Sequence, residues 1–487
     1  MYSRFLTKAA VGALALGVLG VLPVSQSYAV DSDAEARLSP QGLASATCTD
    51  TSLDLTLDRP AVLGTAGRLE VRRSNGEVVD TVDLADPASS YETIGGARSD
   101  YGQLHEWRYE PVVVDGDTAR VYLHHSLEPS TRYYVTVDPG FLQGFDGVEG
   151  RTAWQFRTRK LPAPGTTQLS VDAAGHGDFC TVQGAVDFVP SGNQQPMQID
   201  VAPGHYRGTV YVAPDKPHLT IRGQDRDATV IESVNNDRMN GDTAMRDVAR
   251  EQSYCPKRVL PTPDRWNCWR ATLGIDADDV RLENLTVHNL TPYGGSQAEA
   301  VRGNADRIVL ERVSLLSFQD TLRLQGRAFV DRSYIEGDVD FVWGTGGVFM
   351  QDSELKALHA GYYTQIRNAP GQPGNVFLRT RLTRAAGVPD GSVYLGRIET
   401  NRFPASQVAF IDSAMDAHVP AVGWQITPND CSQAGQLQFE EYHSTDLAGR
   451  PLDVSGRLPC SRQLTDEEAR QLSDPTYFLG GWDPRTH

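Results

Sequence analysis

The chain has 487 residues, of which 22% are charged and 40% hydrophobic, and its formal net charge is −17. This composition is that of a soluble globular protein with enough apolar material for a core, and the length predicts more than one domain. The negative charge argues against nucleic acid or an anionic membrane as a partner. It leaves an acidic substrate open, because a local basic groove or a neutral, esterified substrate would suffice.

Residues 1–29 have the features of a secretory signal. Arg4 and Lys8 form a basic start, Ala9–Val24 an apolar run, and Ser27–Ala29 a small-residue cleavage site. The run is short for a membrane anchor and is broken by a proline. We therefore expect export, either to the extracellular space or to a periplasm, and no later segment is apolar enough to span a membrane.

An oxidising compartment suits the cysteines of this chain. There are six: Cys48, Cys180, Cys255, Cys268, Cys431 and Cys460. No CxxC or Cys/His cluster indicates a metal site, so disulfides are the better interpretation. Sequence proximity favours the pairs Cys255–Cys268 and Cys431–Cys460, which leaves Cys48 and Cys180 to join two domains.

Residues 30–160 have the pattern of a small β-sandwich. Alternating runs separated by turn residues predict strands at Leu53–Leu57, Arg68–Arg72, Ala119–Tyr122, Tyr133–Val137 and Trp154–Thr158. The segment 127–158 resembles bacterial immunoglobulin-like domains. It lacks a titratable cluster, which favours a spacer over a carbohydrate-adhesion module. Residues 161–168 form a proline- and glycine-bearing linker that marks the domain boundary.

Residues 169–487 are dominated by a repeat of apolar residues at offsets 0, +2 and +7. The copies are Val280/Leu282/Val287, Ile308/Leu310/Leu315, Ala328/Val330/Ile335, Val348/Met350/Leu355 and Val408/Phe410/Met415, and another starts at Val376/Leu378 with its last member, Leu382, one residue early. The alternation in each copy marks a strand with one face inward, and starts separated by 20 to 32 residues indicate a solenoid. Leucine-rich repeats fit poorly, because their asparagine ladder is missing.

We therefore predict a parallel β-helix, in which stacked coils bury one continuous core. Its ends need caps, and a helical run near Val182–Phe188 and the segment Thr465–Leu472 could provide them. The polar insertion Asn235–Arg270 interrupts the repeat and carries Trp266 and Trp269. A disulfide-closed surface loop and a wall of a substrate site are both open interpretations of this insertion.

Two aspartates occupy the same position of adjacent copies. Asp320 lies 12 residues after Ile308, and Asp340 lies 12 residues after Ala328. Coils stack at about 4.8 Å, so we expect the two carboxylates one rung apart on one side. Like charges this close do not both ionise easily, which suits a nucleophile paired with a general acid. A solvated stack of aspartates fits their apolar sequence neighbours less well.

Two glutamines and an arginine fall into the same phase. Gln297 lies 22 residues before Gln319, and Arg397 precedes the strand start Val408 by 11 residues, as Gln297 precedes Ile308. Arginine can hold a carboxylate through paired hydrogen bonds, and glutamine amides can donate to a developing oxyanion. Glutamines on solenoid rungs also form simple ladders, so the hypothesis depends on the whole set.

These residues carry a resemblance to a known family. The motifs are Ser296–Arg302, Phe318–Leu322, Tyr334–Gly344 and Tyr394–Arg397, with a similar opening at Asp172–Phe179 and a similar ending at Phe478–Trp482. In order and spacing they resemble the signature motifs of pectin methylesterases. The resemblance covers roughly Leu169 to Pro484 and excludes the amino-terminal module.

The resemblance implies a right-handed parallel β-helix that demethylates esterified homogalacturonan and releases methanol. Asp340 would be the nucleophile that forms an acyl-enzyme, and Asp320 would protonate the departing methanol and then activate water. Gln297 and Gln319 would stabilise the oxyanion, and Arg397 would hold Asp340. The resemblance implies no metal and no organic cofactor, and the partner we expect is methyl-esterified pectin, bound by a monomer.

The chain departs from the family after Leu-Gly-Arg, where Ile398 and Glu399 stand in place of the usual Pro-Trp. The indole of that tryptophan lines the sugar site in the family, so another ring would have to replace it. The candidate substrate-binding residues are Phe318, Phe341, Trp343, Trp266 and Trp269.

Other functions remain open at this point. A related β-helix could act on another ester or a thioester, or bind a polysaccharide without catalysis. The full set of two aspartates, two glutamines and an arginine argues against the non-catalytic alternative. The motifs also oppose a lyase or glycosidase on the same fold. A serine esterase lacks support, because Gly294–Ala298 only approaches the GxSxG motif.

Overall fold

The computed structural model describes residues 36–86, 92–98, 104–109, 111–236, 256–259, 270–295 and 297–486, with backbone alone for 92–98, 104–109 and 256–259. The expected signal at residues 1–29, the Cys255–Cys268 pair, Trp266 and Trp269 lie outside these residues. Across the part of the chain that is described, no helix is both long and apolar enough to cross a membrane.

The amino-terminal region forms two sheets that enclose their own core. One sheet has the strand order Arg37–Ser39, Leu53–Thr56, Thr118–Val121 and Val112–Asp115, and the other Gly42–Thr47, Gln155–Thr158, Arg132–Val137, Arg68–Arg73 and Val78–Asp83. The inward residues of both sheets, with Trp154 and Phe141 fully buried, fill the space between them. The five strands predicted here are confirmed. The immunoglobulin-like resemblance and the boundary at residues 161–168 stay predictions.

A third, smaller sheet joins this region to the insertion. The strands Glu92–Arg98 and Leu104–Tyr109 form an antiparallel hairpin, and Pro256–Val259 of the insertion pairs antiparallel with the second of them. The insertion is therefore in backbone contact with the amino-terminal region.

The rest of the chain is a parallel β-helix with three faces, as predicted. The first face is a parallel sheet of 11 strands: Gln168–Val171, Met197–Val201, Leu219–Gly223, Val280–Glu283, Ile308–Glu311, Ala328–Asp331, Val348–Gln351, Asn375–Leu378, Gln407–Ile411, Gln438–Tyr442 and Arg462–Gln463. Consecutive coils pair residue for residue, as Ile308 does with Ala328. This register gives every coil the same inward positions.

The second and third faces are joined into one sheet, because two strands run through the corner between them. The second face contains Gly204–Arg207, Thr229–Ser233, Thr286–Asn289, Ser314–Leu316, Arg381–Arg384, Ala414–Met415 and Thr445–Asp446, and the third face Val210–Val212, Leu273–Ile275, Val301–Gly303, Leu322–Leu324, Val393–Glu399 and Trp424–Thr427. The strands Tyr334–Gly344 and Glu354–Ile366 contribute to both faces.

One copy of the repeat was placed one residue out of phase. Asn375, not Val376, pairs with Val348 of the preceding coil and with Val408 of the following one. The inward residue of this coil is Phe377, which stacks on Phe410 at a centroid distance of 4.6 Å. Val376 faces outward. The prediction was wrong because this outward residue is apolar too, so alternation alone could not fix the phase.

The outer side of the first face carries a second apolar cluster, and the carboxyl-terminal helices cover it. Those helices are Asp466–Leu472 and Pro475–Phe478. Phe478 and Leu479 pack there against Phe349 and Val376. The expectation that Thr465–Leu472 closes an end of the β-helix is therefore wrong, since this segment covers a side. The apolar outward residues of the first face are what attract it.

The predicted helix Val182–Phe188 is confirmed and does close the amino-terminal end. It begins after Thr181, whose hydroxyl accepts from the backbone of Gly184. Its buried residues Val182, Ala185 and Val186 belong to the interior core. The remaining helix that the structure describes is a short 3-10 turn at Cys431–Gln433.

The helix Val182–Phe188 also anchors the amino-terminal region. The carboxylate of Asp50 accepts hydrogen bonds from the backbone N–H groups of Cys180 and Thr181 at 3.0 and 2.8 Å and from the Thr181 hydroxyl at 2.6 Å. The Cys48–Cys180 disulfide fixes the same contact. Two of the predicted pairs, Cys48–Cys180 and Cys431–Cys460, are confirmed.

A histidine is buried inside the β-helix. The His418 Nε2 lies 2.6 Å from the Tyr363 hydroxyl, and both side chains are inaccessible to solvent. Burial, aided by the charge of Arg384 and opposed by those of Asp416 and Asp390, lowers the pKa of His418 to about 4.

This pKa predicts loss of stability in acid. Between the ordinary pKa of about 6.5 and the folded-state pKa of about 4, the unfolded chain binds a proton that the folded chain does not. The free energy of unfolding should therefore fall as the pH drops through this window. We expect the Tm of His418→Gln to fall less than that of the wild type between pH 7 and pH 4.5, measured by thermal denaturation.

A matched control is His443→Gln, because His443 is an exposed histidine beside Asp412. It should keep the acid sensitivity of the wild type. Equal pH dependence in His418→Gln and the wild type would contradict the assignment.

Candidate active site

The two aspartates singled out in the sequence lie at the corner between the second and third faces. Asp320 follows the strand Ser314–Leu316, and Asp340 lies inside the continuous strand Tyr334–Gly344. Both have left-handed backbones, with φ of 60° and 52°. Aspartate and asparagine tolerate this conformation better than other side chains, so the corner itself suits the residues found there.

Adjacent coils remain paired through this corner. The Asp320 N–H donates to the Val339 carbonyl at 3.1 Å, and Gln319 forms a parallel bridge with Val339. The repeat phase inferred from the sequence is therefore present in the structure, and Asp320 and Asp340 occupy equivalent positions of neighbouring coils.

Asp340 is held by a fork of hydrogen bonds. Arg397, in the strand Val393–Glu399 of the third face, donates from Nε to Oδ1 at 2.8 Å and from Nη2 to Oδ2 at 2.5 Å. Burial raises the pKa of Asp340, and the Arg397 guanidinium opposes that rise. The Arg397 guanidinium lies 4.7 Å from the centre of the Tyr362 ring, whose hydroxyl donates to Gln425 at 3.0 Å. The contact with the Tyr362 ring fixes the side-chain rotamer of Arg397.

Asp320 has a weaker cationic partner. The Arg270 Nη2 donates to its Oδ2 at 3.3 Å, while the Arg270 Nε donates to Glu299 at 2.7 Å. Burial raises the pKa of Asp320 well above its ordinary value, and the charges of Glu299 and Asp340 add to that rise against those of Arg270 and Arg367. The corner therefore favours a proton on Asp320 over one on Asp340.

The two glutamines stack beside the aspartates. The Ala298 N–H donates to the Gln319 carbonyl at 3.1 Å, so Gln297 lies one coil before Gln319. Both side chains are partly exposed at the corner. Such amides can present N–H donors to an oxygen bound next to Asp340.

The candidate substrate-binding rings lie in different surroundings. Phe341 is 0% exposed and packs against Tyr363 in the interior core, at a centroid distance of 5.1 Å. Its assignment to the substrate site is wrong, because its side chain points into the β-helix. Phe318 lies at the surface side and meets the ring of Tyr293 edge-on at 5.9 Å, and Tyr293 is 67% exposed.

Trp343 lies beside the aspartates and is surrounded by guanidinium groups. Its exposed fraction is 7%. The guanidinium carbons of Arg270, Arg323 and Arg367 lie 5.3, 4.8 and 4.9 Å from its ring. Cation–π contacts of this kind keep the arginines in place while leaving their N–H groups able to donate.

The cationic wall continues past Trp343. Arg367 also lies 5.4 Å from the Phe403 ring, and Arg402 lies 5.2 Å from the same ring. Glu399, at the position where a family tryptophan was expected, pairs with Arg402 at 2.6 Å, and Ile398 is buried in the core. The departure from the family pattern thus replaces an aromatic ring by an ion pair. Of these arginines, Arg270 and Arg323 are buried, whereas Arg367 and Arg402 reach the surface.

Sequence reasoning missed a second titratable pair next to the corner. The Asp338 carboxylate lies 3.4 Å from the His359 Nδ1, and the His359 ring stacks on Tyr293 at 3.9 Å. Burial raises the pKa of Asp338 to about 6. The signal that could have found Asp338 is its spacing, since it lies two residues before Asp340.

Arg270, Arg367 and Glu299 were missed as well. Glu299 follows Gln297 by two residues, which puts both side chains on the same side of an extended segment. Arg270 and Arg367 lie 50 and 47 residues from Asp320, and no local pattern connects them with it.

Within the residues that the structure describes, one group has the composition of a possible metal site, Cys48 with Asp50 and Cys180. Its two sulfur atoms are joined in a disulfide, so they are not available as thiolate ligands. That the reaction needs no metal or cofactor stays a prediction.

Comparisons with known proteins agree with the fold described above. The sequence matches the Pectinesterase family over residues 168–251 and 263–480. Pectinesterase 31 of Arabidopsis thaliana is 32% identical over 307 residues, which is 62% of this chain and 90% of the relative. The pectin methylesterase structure from carrot superposes with a TM-score of 0.53 at 23% identity, over 66% of this chain and 95% of its own.

A structure of a pectin methylesterase in complex with a hexasaccharide superposes equally well. Its TM-score is 0.53 at 22% identity, over 66% of this chain and 99% of its own. At this identity the structural likeness shows the fold. The family match leaves the amino-terminal region out of the shared part.

The geometry predicts the effect of removing Arg397. In Arg397→Gln the pKa of Asp340 should rise, because the guanidinium that opposes the effect of burial is gone. Carbon-13 NMR of proteins labelled at aspartate Cγ would follow this titration without any substrate.

The matched control is Arg379→Gln. Arg379 makes the same kind of fork with Asp352, at 2.7 and 2.7 Å, on the turn after the first face. This variant should leave the Asp340 titration unchanged, and an unchanged titration in Arg397→Gln would show that the fork does not govern Asp340.

Proposed function

Because this chain belongs to the pectinesterase family, we propose that it hydrolyses the methyl esters of galacturonate in pectin and releases methanol. The observation that carries the proposal is the inequality of the two corner aspartates. The fork from Arg397 favours the anion of Asp340, and burial favours the protonated form of Asp320. Ester hydrolysis through an acyl-enzyme needs a nucleophile and an acid in this relation.

In the first step the Asp340 carboxylate attacks the ester carbonyl. The carbonyl oxygen becomes an oxyanion, to which the amides of Gln297 and Gln319 donate hydrogen bonds. The C–O bond to the methoxy group breaks, Asp320 gives its proton to the leaving oxygen, and methanol departs. An anhydride between the sugar carboxyl and Asp340 remains.

In the second step water hydrolyses the anhydride. The Asp320 carboxylate, now ionised, takes a proton from the water as it attacks the carbonyl carbon. The bond to Asp340 breaks, the free galacturonate leaves, and both aspartates return to their starting protonation states. Neither step changes an oxidation state, so the reaction needs no electron donor or acceptor.

The polymer would lie along the basic wall. Of the arginines on this wall, Arg367 is half-buried and Arg402 is exposed, and their N–H groups suit the free carboxylates of a partly demethylated chain. The neutral methyl ester itself would occupy the corner. A protein with a net charge of −17 could bind an acidic polymer in this way, because arginines face its free carboxylates and the group at the aspartates is neutral.

We also propose that the chain acts outside the cytoplasm and as a monomer. Export is supported by the signal-like residues 1–29 and by the disulfides Cys48–Cys180 and Cys431–Cys460. The oligomeric state is a prediction that size-exclusion chromatography with light scattering would check.

Replacement of the nucleophile tests the proposal directly. Asp340→Asn should reduce methanol release from methylated pectin on the order of a thousandfold or more, since the amide cannot form the acyl-enzyme. Asparagine retains the left-handed backbone at this position, so the fold should survive.

Asp352→Asn is the matched control. Asp352 also has a left-handed backbone, with φ of 49°, and a forked arginine partner, but it lies on another turn. It should keep wild-type activity. If the wild type released no methanol from pectin but hydrolysed another ester, the substrate proposal would be wrong and the esterase chemistry would stand.

Trp343 is the remaining described candidate for the missing sugar-site ring. Trp343→Ala should raise KM for pectin, because it removes both the ring and the support of three arginines. Trp343→Phe keeps an aromatic face for the guanidinium groups, so its KM for pectin should lie between those of the wild type and of Trp343→Ala. Unchanged kinetics in Trp343→Ala, with an unchanged Tm, would remove Trp343 from the substrate site.

A further inference from the structure

The buried charges beside Asp320 include a carboxylate, that of Glu299, that has no role in the mechanism given above. Glu299 and Arg302 have side chains that are 0% exposed, and that of Arg270 is 7% exposed. The Arg270 Nε donates to the Glu299 Oε1 at 2.7 Å, and the Arg302 Nη1 lies 4.0 Å from the same oxygen. Burial of such charges carries a large desolvation penalty, and apolar residues of similar size would stabilise the core at least as well.

The two corner aspartates differ in the number of arginine nitrogens that donate to each. Arg397 gives both Nε and Nη2 to Asp340, at 2.8 and 2.5 Å. Arg270 gives its Nε to Glu299 and reaches Asp320 with Nη2 alone, at 3.3 Å. A second fork on Asp320 would need the nitrogen that Glu299 holds.

We propose that Glu299 is a positioning residue for the reaction: its carboxylate holds the Nε of Arg270, so that this arginine touches Asp320 without forming a fork with it. Asp320 then retains its proton for the leaving methanol. The inference rests on the proposed function and deepens it, because it names the device that makes the two aspartates unequal.

The charges that face Asp320 come from several coils. Arg270 and Arg367 favour its anion, whereas Glu299 and Asp340 disfavour it, and Arg397 interacts with it from the far side of Asp340. Loss of the Glu299 charge removes a repulsion that raises the pKa of Asp320, and it releases the Arg270 Nε from Glu299 so that this nitrogen can donate to Asp320. Both effects lower that pKa, whereas loss of Arg270 raises it.

The test compares Glu299→Gln with Arg270→Gln. In Glu299→Gln the pKa of Asp320 should fall, and the alkaline limb of the kcat/KM profile for pectin should move to lower pH with it. In Arg270→Gln both should move to higher pH. Carbon-13 NMR of proteins labelled at aspartate Cγ, assigned with Asp320→Asn, reads the titration without substrate.

Glu441→Gln is the matched control. Glu441 and Arg457 form a comparably buried ion pair at 2.7 Å near the carboxyl-terminal end of the β-helix. This variant should lower the Tm and leave both the Asp320 titration and the alkaline limb in place. Glu299→Asp, which keeps the charge on a shorter side chain, should shift the titration in the same direction as Glu299→Gln but less.

The outcomes separate the inference from the function. An Asp320 titration that is unchanged in Glu299→Gln, or that moves upward, would overturn the inference even if the activity fell. If Glu299→Gln did not fold, an unchanged titration in Arg270→Gln or in Glu299→Asp would overturn it equally. Absence of methanol release by the wild type would overturn the proposed function, and the NMR titrations would still decide the role of Glu299.

Discussion

The pairing of one coil with the next is the constraint on which the site depends. Two backbone hydrogen bonds hold the corner in register: the Asp320 N–H donates to the Val339 carbonyl at 3.1 Å, and the Asp338 N–H donates to the Phe318 carbonyl at 2.6 Å. A slip by one residue would turn the side chains to the opposite side and separate Asp320 from Asp340. The continuous apolar interior fixes this register over the whole length of the β-helix, so the core and the chemistry are specified together.

Charge burial at the corner follows from that register. Each coil places a polar side chain where neighbouring coils exclude water, and each charge then needs a partner on another rung. Arg397 serves Asp340, and Glu299 and Arg270 occupy the space beside Asp320. The unequal partners favour the anion at Asp340 and the protonated form at Asp320, although the two residues occupy equivalent positions of the repeat.

The amino-terminal region is tied to the β-helix at several places, among them an ion pair of Asp115 with Arg207 at 2.7 Å. Asp50 and the Cys48–Cys180 disulfide bind it to the helix Val182–Phe188, and its hairpin pairs with Pro256–Val259 of the insertion. The insertion ends at Arg270, which touches Asp320. A covalent and hydrogen-bonded path therefore runs from the sandwich to the edge of the candidate site.

Local pattern determined the strands, the helix Val182–Phe188, the equivalence of Asp320 and Asp340 and the place of Arg397, because each follows from spacing along the chain. Tertiary structure decided what spacing could not. It set the phase at Asn375, the burial of Phe341 and the outer position of Thr465–Leu472, since each depends on which of two apolar faces is covered. It also brought Arg270 and Arg367 to the aspartates, and contacts between distant coils leave no periodic trace in the sequence.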